Sequence, residues 1–183
     1  MTERDTTVRL PPAGGPGVAR ERTVTWGDPA KAIAAGRGLT GREVLEGMVA
    51  GKIAAPPTIR LLGIELDVIR EGHVEMSLEP AEYLYNTIGM VHGGIVSTLL
   101  DSAMGSAVNT RLDAQTGCTT LNLHVNFVRP VTIEAGRVRA IGRVLHLGSR
   151  TATAEGTLVD ATGRLYGHAS STLLLTPRAD AGG

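Results

Sequence analysis

In the stretch NTIGMVHGGIVSTLLDSAMG, residues 86–105, a single carboxylate stands inside an apolar run. Asp101 is the only Asp, Glu, Lys or Arg between Glu82 and Arg111, so no cation lies three or four residues away to pair with it. Asp is also a middling-to-poor helix former. Two readings fit. One is a structural carboxylate, hydrogen-bonded to a strand or facing water; the other is a general base or nucleophile whose pKa is raised by apolar surroundings. His92-Gly93-Gly94 opens the same run. The first N–H groups of a helix lack internal acceptors and sit at the positive end of its dipole, so they can stabilise a developing oxyanion. Glycine there lets a carbonyl approach with no Cβ in the way. The plain alternative is an ordinary glycine-containing helix start, with His92 as a cap rather than a group that orients substrate.

The element that must hold these residues is a helix over 93–110. At 100° per residue, Ile95, Val96, Leu99, Leu100, Ala103, Met104, Ala107 and Val108 fill one broad core face. Asp101 falls on the remaining arc with Gly94, Ser97, Thr98, Ser102 and Gly105, a stripe of small residues that permits close approach. Eight residues separate Gly93 from Asp101, about 12 Å of helix axis, too far for both to act on one carbonyl. If both are catalytic, Asp101 must meet the Gly93 N–H of a second copy across a two-fold interface.

Around this helix the period of the sequence changes. Residues 8–22 combine Pro, Gly and Arg without apolar periodicity and predict a flexible arm. TGREVLEGMVAG carries a capping-box pattern, Thr40 with Glu43, and places Val44, Leu45, Met48 and Val49 on one face of a short helix closed by AAPP at 54–57. Ile64, Leu66 and Val68, then Val74, Met76 and Leu78, alternate with polar residues about Glu71-Gly72, which predicts a hairpin. Leu121, Leu123, Val125 and Phe127 alternate with Asn122, His124 and Asn126 in a strand ended by Pro130, and further strands are expected at 136–147, 150–159 and 165–175. One long helix covering one face of an antiparallel sheet of about six strands makes a two-layer α+β fold. The expected organisation is an arm and short helix over 1–57, the main domain over 58–176, and a disordered tail over 177–183.

Composition narrows the function classes. The 183 residues contain 18 Lys+Arg and 18 Asp+Glu, with no basic field for nucleic acid. Cys118 is the only cysteine, which excludes an intrachain disulfide and a Cys-rich metal site. The polar start has no signal-peptide core and no stretch suits a membrane span, so a cytoplasmic protein without membrane partner is expected.

Asn86, His92-Gly93-Gly94 and Asp101, followed by TLNLHVNFVRP at 120–130, resemble the hotdog-fold acyl-CoA thioesterases of the PaaI type, relatives of phenylacetyl- and hydroxybenzoyl-CoA thioesterases. The likeness covers about residues 58–176. It implies a sheet wrapped around a long helix, edge-to-edge dimers that often pair as tetramers, and hydrolysis of an acyl- or aryl-CoA without metal or redox cofactor. It further implies that the Gly93 N–H polarises the thioester carbonyl, that His92 and Asn86 shape that side, and that Asp101 of the facing subunit acts as base or nucleophile. Thr120 matches a hydroxyl position that helps place water, with Thr119 as the alternative if the register differs by one; an ordinary strand Thr is a third reading of this position. Arg129 and Arg150 are read as solvated surface arginines. A non-catalytic acyl-CoA-binding module and a hotdog dehydratase are the competing classes, and Asp101 favours the hydrolase over the pure binder.

Overall fold

The computed structural model describes residues 20–178; the greater part of the arm expected at 8–22, and residues 179–183 of the expected tail, lie outside them. Three short helices come first: α1 (Pro29–Ala35), α2 (Gly41–Val49) and α3 (Pro57–Leu62). The hairpin β1 (Ile64–Arg70) and β2 (His73–Leu78) follows, then the long α4 (Gly93–Asn109), and then β3 (Thr116–Phe127), β4 (Val138–Leu147), β5 (Thr151–Val159) and β6 (Leu165–Pro177). All pairings are antiparallel and give one six-stranded sheet in the order β1-β2-β4-β5-β6-β3.

The sheet wraps α4 as the apolar arc requires. Val96, Leu99, Leu100, Ala103, Met104, Ala107 and Val108 are buried, and Ile95 is packed at the margin. Leu99 and Leu100 are fully enclosed, so truncating either to alanine is expected to cost about 2–5 kcal/mol. Two glycines let the helix lie directly on the central strands. A Cβ on Gly142 of β4 would stand 2.3 Å from the Ala103 carbonyl oxygen, and one on Gly156 of β5 would stand 3.2 Å from Leu100 and Met104. Any side chain at Gly142 would force the layers apart.

α2 forms where the capping box predicts. Thr40 Oγ1 accepts from the Glu43 N–H at 3.3 Å, and Glu43 Oε2 accepts from the Thr40 N–H at 2.8 Å. Its packed face is narrower than expected: Leu45 is buried, whereas Val49 is 63% exposed. The helix is seated on the C-terminal end of α4, where Gly41 has no room for a Cβ, since Asn109 O would lie 2.1 Å away. Gly41 N–H also donates to Leu112 O.

The largest departure from the expected pattern is in β3. It starts at Thr116, and a bulge between Thr120 and Asn122 makes Leu121 an extra residue. That insertion breaks the period of two. Leu123 and Val125 pack against the core, but Leu121 and Phe127 are 59% and 57% exposed. β3 is also an edge of the sheet, with one side unpaired in the single chain. At the C-terminus, Pro177 ends β6 and the Arg178 N–H donates to Gln115 O.

Candidate active site

Asp101 lies on α4, on the side away from the sheet core, and is partly buried. The bulged segment of β3 brings Thr120 across it, and Thr120 Oγ1 donates to Asp101 Oδ1 at 2.9 Å. Thr120 rather than Thr119 makes this contact. Among the described residues, no cation lies within salt-bridge reach of Asp101, and its Oδ2 has no hydrogen-bond partner. One oxygen is therefore held and the other is without a partner among the described residues. Both Asp101 and Thr120 line a cavity of about 810 Å³, whose other walls come from α2, α3, β1 and β6. Cys118 lines it too; burial pushes its thiol pKa up, nearby Arg178 pulls the other way and Asp101 adds to the rise.

The other expected residues gather at the N-terminus of α4. Asn86 Oδ1 accepts from the N–H groups of Ile88 (3.0 Å) and Met90 (3.3 Å), which folds residues 86–90 into a turn with Gly89 at φ +79°. Asn86 thus acts on the backbone of this loop. His92 Nδ1 accepts from the Gly94 N–H at 2.9 Å, so the imidazole caps the helix, while the His92 backbone N–H donates to Leu84 O. Ser97 and Thr98 donate to the carbonyls of Gly93 and Gly94, each at 2.9 Å, tying down a first turn that two glycines would otherwise leave loose. Among the described residues the Gly93 N–H has no acceptor. Gly93 is not at positive φ. A Cβ there would meet Phe127 at 3.1 Å, a contact that the alternation of the strand did not reveal.

The two groups do not share a pocket. Gly93, Asn86 and Phe127 line a second, smaller cavity of about 350 Å³, separate from the one that holds Asp101. Arg129, expected in solvent, lines this smaller cavity and donates to Leu165 O; Arg150 is exposed. Within one chain, the donor and the carboxylate stay about 12 Å apart along the helix. Among the described residues, no group of three His, Cys, Asp or Glu side chains is placed to hold a metal ion, and no helix is long and apolar enough to cross a membrane.

A long helix gripped by a six-stranded antiparallel sheet, with a carboxylate on its free side, defines the hotdog class of fold. Residues 88–166 match the Thioesterase superfamily. A candidate esterase of Halobacterium salinarum is 31% identical over 106 residues, covering 55% of this chain and 68% of that protein. The 1,4-dihydroxy-2-naphthoyl-CoA hydrolase of Listeria monocytogenes is 27% identical over 106 residues, covering 57% of this chain and 83% of that one. Among solved structures, a candidate thioesterase related to phenylacetic acid degradation in Ralstonia eutropha JMP134 superposes with a TM-score of 0.65 at 26% identity, over 70% of this chain and 97% of that one. The chain belongs to the thioesterase superfamily and is a thioester hydrolase of the PaaI type.

Proposed function

We propose that the protein hydrolyses an acyl- or aryl-CoA thioester in a site shared between two subunits. The observation that carries this reading is the Asp101 carboxylate at the wall of the large cavity, held on one oxygen by Thr120 and unpaired on the other. Water, or Asp101 itself, attacks the thioester carbonyl. The carbonyl oxygen becomes an oxyanion, which the Gly93 N–H of the partner subunit stabilises, and the C–S bond then breaks to release coenzyme A as a thiol. In the general-base route Asp101 takes the proton of water and returns it to the thiolate. In the nucleophilic route an anhydride forms on Asp101 and water cleaves it.

A dimer is the least assembly that supplies both halves, and pairing of dimers into a tetramer fits the same reading. The exposed edge of β3, with Leu121, Phe127 and Val128 uncovered, supports an interface on the side that carries Thr120. Turnover of a panel of acyl-CoA thioesters, followed with a thiol reagent, tests the activity. Mixing Asp101→Asn subunits with Gly93→Pro subunits tests the sharing, because each mixed dimer regains one complete site. Verified heterodimers without recovered turnover would sink the shared-site proposal.

A further inference from the structure

Resting on the reading of Asp101 as the group beside the thioester, we propose that the large cavity is a ruler for an unbranched, medium-length aliphatic acyl chain. Along α4 the cavity is lined at Asp101, Ser102, Gly105, Ser106 and Asn109, positions that form one continuous stripe over two turns. Opposite that stripe, α2 and α3 contribute Val44, Leu45, Met48 and Ile59. The α2 and α3 residues precede the matched family region, and these four are aliphatic members of an outer wall that also contains Thr58 and Arg60. Gly41 and Asn109, whose backbones lie against each other, both line the cavity farthest along α4 from Asp101, and the ruler takes this contact as its stop.

The distance from carboxylate to stop selects the occupant. Eight residues from Asp101 to Asn109 span about 12 Å of helix axis. At about 1.3 Å of advance per carbon, an extended alkyl chain of roughly eight to ten carbons fills that length. A single-ring aryl group would fill only the part nearest Asp101 and leave the remainder void, forfeiting contacts along both walls. None of the described side chains lining the cavity is aromatic, so a ring would also find no stacking partner, whereas Met48 adapts readily to an alkyl chain.

Position 105 sits about 6 Å along the ruler. A Cβ on Gly105 would have only Leu173 as a neighbour, at 3.9 Å, and its φ is ordinary, so a side chain there projects into the cavity. The test measures the affinity of the full chain for S-alkyl-coenzyme A thioethers, which cannot be hydrolysed, from C2 to C16. Wild type is expected to bind the C10 thioether at least ~10-fold more tightly than the C4 thioether and to gain nothing beyond C10. Gly105→Val is expected to move that limit down to C4–C6, and Ser106→Leu, which fills the next position, repeats the test if the first variant does not fold. Affinity that ignores chain length, or a folded variant that keeps the wild-type profile, overturns the ruler. Length-dependent binding without turnover of the matching thioesters would retain the ruler and overturn the chemistry assigned to Asp101.

Discussion

Partway along α4 the group proposed to act is a side chain, Asp101, held by one hydroxyl from β3. At the N-terminal end the group proposed to act is a backbone N–H, that of Gly93, and the neighbouring side chains contact the main chain: Asn86 folds the preceding turn, and His92 caps the helix. The first region depends on which atoms Asp101 carries. The second depends on where the backbone goes. On the proposed shared site, one chain holds two half-sites that should respond to mutation in opposite ways: intolerant of side-chain replacement in one, and intolerant only of a lost N–H or a displaced turn in the other.

The sharpest way to break this contrast is Asp101→Asn, which keeps the shape and removes the basic oxygen. It is expected to lower turnover about 10²–10⁴-fold without loss of folding, the range for a positioned acid or base; near wild-type turnover in the thiol-release assay would retire the assignment. Gly93→Pro comes next, since proline is tolerated at the first position of a helix but has no N–H. A loss of at least ~10²-fold is expected, with helix content preserved by circular dichroism. Gly93→Ala keeps the donor and has only to shift the Phe127 ring by a few tenths of an ångström, so it should cost less. If alanine and proline are equally damaging, space rather than the donor is what matters. The smallest effect belongs to His92. His92→Ala should cost about 1 kcal/mol of stability in a thermal or urea melt, and His92→Asn, a good cap, should restore it. An asparagine variant that melts like wild type yet turns over poorly would mean that the imidazole contacts substrate after all.

Much of this architecture was legible because periodicity reports burial. The α4 face, the β1–β2 hairpin and the α2 capping box each have a local signature, and the structure has them where the sequence puts them. Features set by distant contacts were not. α1 buries nothing, so its PAKAIAA has no apolar stripe to read. α3 begins at Pro57, in a Pro-Pro pair that reads equally as a terminator or as a first helical turn. The bulge at Leu121 looks like uninterrupted alternation until its partner strand is seen. The site divides along the same line. Asp101 was conspicuous as a lone charge, but its contact with Thr120 depends on how β3 crosses α4, and the cavity wall supplied by Val44, Met48 and Ile59 depends on where α2 docks.

The contact between Gly142 and Ala103 makes a fulcrum of the middle of α4. There the helix touches the sheet backbone to backbone, with no side chain between them to act as a cushion. Asp101 is two residues from that point, about 3 Å, and Gly93 is ten residues away, about 15 Å. A rigid tilt of about 5° about the fulcrum would carry Gly93 by about 1.3 Å and Asp101 by only about 0.3 Å. In such a tilt the carboxylate would ride on the still part of the lever and the Gly93 N–H on the long arm.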